Sequence, residues 1–574
     1  MKRLKNELNA LVNRGVDRHL RLAVTGLSRS GKTAFITAMV NQLLNIHAGA
    51  RLPLLSAVRE ERLLGVKRIP QRDFGIPRFT YDEGLAQLYG DPPAWPTPTR
   101  GVSEIRLALR FKSNDSLLRH FKDTSTLYLE IVDYPGEWLL DLPMLAQDYL
   151  SWSRQMTGLL NGQRGEWSAK WRMMCEGLDP LAPADENRLA DIAAAWTEYL
   201  HHCKQQGLHF IQPGRFVLPG DMAGAPALQF FPWPDVDAWG ESKLAQADKH
   251  TNAGMLRERF NYYCEKVVKG FYKNHFLRFD RQIVLVDCLQ PLNSGPQAFN
   301  DMRLALTQLM QSFHYGQRTL FRRLFSPVID KLLFAATKAD HVTIDQHANM
   351  VSLLQQLIQD AWQNAAFEGI SMDCLGLASV QATTSGMIDV NGEKIPALRG
   401  NRLSDGAPLT VYPGEVPARL PGQAFWDKQG FQFEAFRPQV MDVDKPLPHI
   451  RLDAALEFLI PGTYVRPHRH PHTFELLLPL RGRFVVLNFD DRGTVTHRAI
   501  LGETCTVLEM AAGTWHAVLS LDTGGIIFEV KHGGYQPVAA DDYAHWAPAE
   551  GEPGTTELMA WYAQAQVGDS TFAV

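Results

Sequence analysis

Short continuous apolar runs recur along the first three quarters of the chain. His19–Thr25, Thr126–Asp133, Gln282–Asp287 and the stretch opening at Lys331 each read as a strand. Runs with no polar face mark parallel strands covered on both sides. Ile105–Phe111 instead alternates apolar and polar residues, as an edge strand does. Cys374–Ser379 is a fainter strand pattern. Helical spacing predicts a helix over Ala34–Leu44 and dominates roughly residues 140–275. That region is rich in Trp and Met, as at Trp152, Met156, Trp171, Met173 and Met174, and carries a Gly/Pro-rich stretch near 212–240. Its aromatics are expected to form a core rather than a ligand platform. Arg451–Ile460 reads as a further helix. Beyond it, Phe484–Phe489, Asp490–Gly493 and Val495–Ile500 read as strand, turn and strand of a small all-β unit.

A length of 574 residues exceeds what one core accommodates. A net charge of −4 gives no hint of a nucleic-acid partner. The 6 cysteines are scattered without C-x-x-C spacing, which suits a reducing cytoplasm. No stretch approaches the roughly 20 apolar residues of a spanning helix, and the N-terminus has no signal-peptide core. Residues 1–21 are basic, with Leu4, Leu8 and Leu11 on one helical face. This predicts an amphipathic helix packed on the domain, with a membrane-surface helix as the alternative.

The chemistry begins at Gly26-Leu27-Ser28-Arg29-Ser30-Gly31-Lys32-Thr33, a complete G-x-x-x-x-G-K-[ST] phosphate loop between a strand and a helix. Loop amides over Gly26, Ser28, Ser30 and Gly31 would face a polyphosphate. Lys32 would reach the β- and γ-phosphates, and the Thr33 hydroxyl would ligate Mg²⁺. About 100 residues on, Asp133-Tyr134-Pro135-Gly136 gives D-x-x-G at a strand end. Asp133 would hold the Mg²⁺ shell, and the Gly136 N–H would meet a γ-phosphate. In Trp95-Pro96-Thr97-Pro98-Thr99, Thr99 or Thr97 would complete that shell. Thr337-Lys338-Ala339-Asp340 is an N/T-K-x-D pattern. A carboxylate at Asp340 can accept from the guanine N1–H and exocyclic amine, a donor pair that adenine lacks. The Lys338 stem would cover the base face, and Thr337 stands where Asn is commoner. ATP is the runner-up nucleotide.

Together these residues resemble the YcjX-like family of bacterial P-loop GTPases. The matches are GLSRSGKTAF (26–35), WPTPT (95–99), LEIVDYPGEWLLDLP (129–143), VLVDCLQPLNSG (284–295) and ATKADHV (336–342). The resemblance covers about residues 1–457, with a helical insertion at about 140–275. It implies a Mg²⁺-dependent guanine-nucleotide hydrolase associated with stress responses. It also implies a small inner-membrane protein as partner, and hence a cytoplasmic protein with a peripheral position at that membrane as an alternative. Glu137 follows D-x-x-G where Ras-type proteins carry a water-orienting glutamine. A carboxylate there can position water but adds charge near the γ-phosphate, so slow hydrolysis is expected. Arg29 is a candidate for charge stabilisation in cis. The expected fold is an α/β P-loop NTPase, mostly parallel with helices on both faces.

The last 115 or so residues carry a different constellation. Gly462, His468, His470, Glu475 and Gly482 have the spacing G-x5-H-x-H-x3,4-E-x6-G of the first cupin motif. Alternation would put His468 and His470 on one face of a strand. Ala511-Ala512-Gly513-Thr514-Trp515-His516 resembles P-x-G-x-x-H, with Ala511 for proline, and offers His516 as a third imidazole. Ser520 stands where asparagine is frequent. Three imidazoles and a carboxylate suit Fe²⁺, Mn²⁺, Zn²⁺ or Ni²⁺ with positions left open. Residues 461–565 resemble the WbuC-like cupin-fold metalloproteins, so a cupin barrel is expected over 461–574. No linker separates it from the preceding helix, which predicts a direct fusion with the barrel's front trimmed. Three functions are thus in view: a GTPase switch, a nucleotide-dependent scaffold with negligible turnover, and a cupin isomerase or oxygenase.

Overall fold

The computed structural model describes residues 18–571, apart from 60, 113–123, 315–330, 360–361, 363–370, 391, 428–431, 460–465, 522–525, 533–537 and 549–554. The basic N-terminal segment up to residue 17 and Gly462 therefore lie outside the described residues.

Strands β1 (Arg18–Gly26), β2 (Leu63–Arg68), β3 (Ser103–Lys112), β4 (Thr124–Asp133), β5 (Arg281–Val286), β6 (Lys331–Ala336) and β7 (Ser371–Gly376) form one 7-stranded sheet, ordered β2-β3-β4-β1-β5-β6-β7. From β4 to β7 all pairings are parallel, and β2 and β3 add an antiparallel edge. The apolar runs follow from covering both faces. Leu22, Val24, Ile131, Ile283, Leu285 and Leu333 point to one core. Their sequence neighbours Ala23, Val132, Val284, Val286 and Phe334 point to the other. Helices α1 (Lys32–Leu44), α2 (Glu186–Gln205), α3 (Pro296–His314), α4 (His347–Leu357) and α5 (Leu452–Leu459) share out these faces. Phe35 and Met39 of α1 pack with Leu452, Leu456 and Leu459 of α5 in the first core. The second core joins α3 and α4 to the helical insertion.

The insertion follows β4 immediately. Trp152, Trp171, Trp196 and Trp233 are fully buried in it, with the Trp171 and Trp196 rings 4.9 Å apart, so its aromatics are core as expected.

Two expectations need correcting. β3 is not the edge strand, because β2 pairs along its outer side. Its buried charged residues, Glu104 and Arg106, face partners on other strands instead of water. Arg106 lies 3.1 Å from Glu130, and Glu104, itself 2% exposed, lies 3.6 Å from Arg21. The other correction concerns His468 and His470, which belong to no strand. His468 makes only isolated bridges to His516 and Tyr543. A small antiparallel sheet, β8 (Thr384–Val390), β9 (Glu393–Asn401) and β10 (Pro408–Val411), carried no apolar run by which to anticipate it, since β8 is largely exposed.

After α5 come two antiparallel sheets of 3 strands. One is β14-β11-β16 and the other β13-β12-β15, built from β11 (Glu475–Arg481), β12 (Phe484–Phe489), β13 (Val495–Leu501), β14 (Leu508–Met510), β15 (Trp515–Ser520) and β16 (Ile526–Lys531). Gly482, at φ 77, turns β11 into β12, a left-handed conformation that favours glycine. Helix α6 (Thr555–Gln564) packs Leu558 and Tyr562 on the core formed with Val485 and Leu487. Among the described residues no helix is long and apolar enough to cross a membrane.

Candidate functional site

The strand order reverses at β1, which lies between β4 and β5. Such a switch point opens a crevice at the C-terminal strand ends. The loop from Gly26 to Thr33 fills it. Gly31 precedes α1 with φ 83, and Arg29 has φ 64. Left-handed residues alternating with right-handed ones turn successive N–H groups toward one point, the geometry of an anion nest. A Cβ at Gly26 would lie 2.2 Å from Ser30 Oγ and 2.6 Å from Leu285 O, so only glycine fits. Ser30 is buried with its hydroxyl unpartnered, and Ser28 is half-buried on the cavity wall.

Behind this loop sits a compact oxygen cluster. Thr99 donates its hydroxyl to Asp133 Oδ2 in a short hydrogen bond. Thr33 Oγ1 lies 3.4 Å from Thr99 Oγ1. Lys32 Nζ donates to Asp133 Oδ1 at 3.1 Å and to Tyr134 O at 2.7 Å. A carboxylate with two hydroxyls is a donor set suited to a hard divalent cation. Thr97 is directed elsewhere: its N–H and hydroxyl both pair with the Gln87 amide at 2.9 Å. Of the two threonines in view from the sequence, Thr99 is the one at the cluster.

Gly136 touches the phosphate loop itself, since a Cβ there would lie 2.2 Å from Gly26 O. The next residue, Glu137, is 7% exposed, and its Oε1 lies 2.8 Å from Lys204 Nζ near the end of α2. Burial opposes its ionisation, but Lys204 outweighs burial and holds its carboxyl below the usual range. Arg29 donates to Gln205 O of the same helix at 3.2 Å.

At the far end Lys338, also left-handed at φ 62, extends to Asp287 Oδ2 at 2.6 Å and lies 5.4 Å from the Phe433 ring centre. Asp287 also accepts the N–H groups of Leu289 and Gln290. The Thr337 N–H bonds Val286 O at 2.9 Å, which ties its loop to β5. Asp340 is buried: Oδ2 accepts the Ala382 N–H at 2.7 Å, and Oδ1 lies 2.9 Å from His341 Nδ1. Burial raises its pKa, but these partners outweigh burial and keep the carboxyl below its ordinary value. Each carboxylate oxygen has further lone pairs, so acceptor capacity remains.

One cavity of about 650 Å³ joins these ends. Its walls include Gly26 to Ala34, Thr99, Glu137, Lys204, Thr337, Lys338, Asp340 and Ala378 to Val380. That volume falls in the range of cofactor-sized ligands.

The C-terminal unit holds a second, separate cluster. Ligand atoms of His468, His470 and His516 all lie within 4.8 Å of one another, as do those of His470, Glu475 and Glu529. His516 Nε2 is 2.9 Å from Glu475 Oε2. The Nδ1 atoms of His468 and His516 lie 3.1 Å from Arg466 O and 3.0 Å from Thr514 O. Such partners fix the rings so that Nε2 faces inward. Burial pushes His468 down to about 3 and His470 down to about 4, which keeps both neutral, the ligating form. Lys531 Nζ lies 2.8 Å from His470 Nε2 and 3.6 Å from Glu475 Oε1. His472 is exposed and outside the cluster.

Residues 20–463 match the profile of the YcjX-like family, DUF463. The chain belongs to the YcjX-like family. Two relatives, each named Ras-like GTPase YcjX, align with it. The one from Escherichia coli (strain K12) is 99% identical over 460 residues, covering 80% of this chain and 99% of the relative. The one from Shewanella oneidensis is 45% identical over 472 residues, covering 80% of this chain and 97% of the relative. Residues 450–501 match a domain of unknown function, DUF6016. That stretch begins at α5 and ends with β13, and it includes His468, His470 and Glu475 but not His516.

Four residues of this YcjX-like chain escaped the sequence reading. Lys204 sits in a helical stretch with no motif. Asp287 ends an apolar run and was legible as a strand terminus only. Glu529 and Lys531 lie on the last strand, far in sequence from the histidines they meet.

Proposed function

We propose that this YcjX-like protein is a Mg²⁺-dependent GTP-binding and GTP-hydrolysing switch. The reading rests on one observation: a single cavity is lined by the phosphate loop at one end and by Asp340 at the other. The names of the two relatives support it. In this reading the loop amides and Lys32 hold the phosphates, and Thr33, Thr99 and Asp133 hold Mg²⁺. Mg²⁺ would offset charge on the phosphate oxygens. Asp340 accepts from the guanine edge while Lys338, braced by Asp287, covers the base. Loss of the γ-phosphate would release the Thr99 and Gly136 segments, so the output is recognition by a partner. Titration calorimetry of the full chain with GTP, GDP and ATP in Mg²⁺ tests this. GTP and GDP should bind at least tenfold more tightly than ATP; equal affinity for ATP would remove the guanine assignment. Turnover measured alongside separates a hydrolase from a nucleotide-dependent scaffold.

A second function is favoured by the histidine cluster. We infer that the segment after α5 is a cupin-type metal module, with His468, His470, His516 and Glu475 binding Fe²⁺, Mn²⁺, Zn²⁺ or Ni²⁺. Three imidazoles and one carboxylate leave coordination positions open to water or substrate.

A further inference from the structure

An acid directly after D-x-x-G raises a physical problem. A carboxylate beside the γ-phosphate position would repel it, and burial strengthens that repulsion because the local dielectric is low. Lys204, at 2.8 Å from Glu137 Oε1, removes the problem. It lies near the C-terminal end of α2, a 20-residue helix of the insertion, and lines the same cavity as the phosphate loop. Its side chain is 25% exposed and that of Glu137 only 8%. Arg29 of the phosphate loop anchors the same helix end through Gln205 O. The backbone is braced too: a Cβ at Gly214, deeper in the insertion, would lie 2.2 Å from Glu137 O.

We propose that Lys204 is a positioning residue for hydrolysis, carried by the helical insertion. It neutralises Glu137 and fixes the carboxylate so that it can orient water without repelling the γ-phosphate. This rests on the GTPase reading above. In the step, the water oxygen bonds to Pγ while the bond from Pγ to the β–γ bridging oxygen breaks, and its electron pair leaves with GDP. Glu137 accepts the hydrogen bond that aims the water, and the water's proton passes to an oxygen of the departing phosphate. Because the cation comes from the insertion, the charge of Glu137 is balanced through the packing of α2 against the phosphate loop.

The test uses the full chain in Mg²⁺, with single-turnover hydrolysis and calorimetric GTP and GDP affinities. Lys204→Met should slow hydrolysis at least tenfold and weaken GTP about tenfold relative to GDP, with GDP binding unchanged. Lys204→Arg should keep most of the rate. The double variant Glu137→Ala, Lys204→Met should recover the GTP-to-GDP ratio but not the rate. Wild-type rate and ratio in Lys204→Met, or a double variant as weak for GTP as the single one, overturns the proposal. Should Lys204→Met lose GDP binding through misfolding, Glu137→Ala decides alone: it must bind GTP at least as tightly as wild type and hydrolyse at least tenfold more slowly, and a wild-type rate overturns the proposal. A wild-type protein that binds neither GTP nor GDP removes the GTPase reading itself. One that hydrolyses GTP alongside an equally active Lys204→Met removes only the role of Lys204.

Discussion

The nucleotide cavity and the C-terminal histidine cluster solve the same problem, gathering charge in a buried place, in opposite ways. The phosphate end of the cavity is shaped by a tightly turned loop backbone. Its loop carries left-handed residues at 29 and 31, and a Cβ at Gly26 would collide with Ser30 Oγ and Leu285 O. The histidine cluster is made of side chains, oriented by carbonyls two residues away, at Arg466 and Thr514. A lysine sits on the acid in each. Lys32 rests on Asp133, and Lys531 lies near Glu475. A backbone site tolerates little change in its glycines but spreads its binding over many amides. A side-chain site concentrates binding in a few ligands, so single substitutions empty it.

Lys32→Ala should have the largest effect. It should lower triphosphate affinity by more than about a hundredfold, because charge-assisted bonds in a partly buried site are lost. Calorimetry checks it, and near wild-type GTP binding would remove the phosphate role given to Lys32. Next, His468→Ala should cut divalent-metal affinity by at least the roughly 10–100-fold that loss of a mere outer partner costs. Metal analysis of the purified chain reads this, and unchanged content removes the ligand assignment. GTP affinity should not move, as the two sites share no described residue.

Asp340→Asn should weaken GTP by about 1–3 kcal/mol and leave ATP unaffected. Thr99→Ala should cost about 1 kcal/mol of Mg²⁺-dependent GTP affinity. Thr97→Ala should cost less, because that hydroxyl is held by Gln87. A larger loss at Thr97 would reverse the choice between them.

The smallest effect concerns Asp141, which anchors the segment after Gly136 to the insertion. Its Oδ1 accepts the Gly214 N–H at 2.8 Å and its Oδ2 accepts the Tyr263 hydroxyl at 2.5 Å. Burial pushes its carboxyl up to about 7 despite these bonds. Between the ordinary carboxylate range and that value, the folded protein keeps a proton the unfolded chain releases, so folding stability drains away as pH rises through the window. Asp141→Asn mimics the protonated form. Its melting temperature should exceed that of wild type by a margin that grows from about pH 5 to pH 7. A margin that shrinks over that range would refute the buried-acid account.

Much of the parallel sheet was legible, for a physical reason. Strands covered on both faces must be apolar throughout, and the runs at β1, β4, β5 and β6 are consecutive in sequence. The phosphate loop was legible because glycine, lysine and threonine act within eight adjacent positions. β3 was misplaced at the edge because its alternation reports polar partners as readily as water. Arg106 and Glu104 found Glu130 and Arg21 across the sheet. His468 and His470 were expected on a strand because their spacing fits either a strand or an extended approach to one.

Local chemistry thus determined the phosphate loop, the D-x-x-G turn, the N/T-K-x-D-like loop and the histidine spacing, since each needs particular residues within a few positions of one another. Only the tertiary structure decided that Thr99 rather than Thr97 meets Asp133, that Lys338 rests on Asp287, and that Lys204 from the insertion neutralises Glu137. Those pairs are brought together by the sheet order and by a helix returning from a long excursion. Charge compensation acts through space, so it leaves no mark on the spacing of residues along the chain.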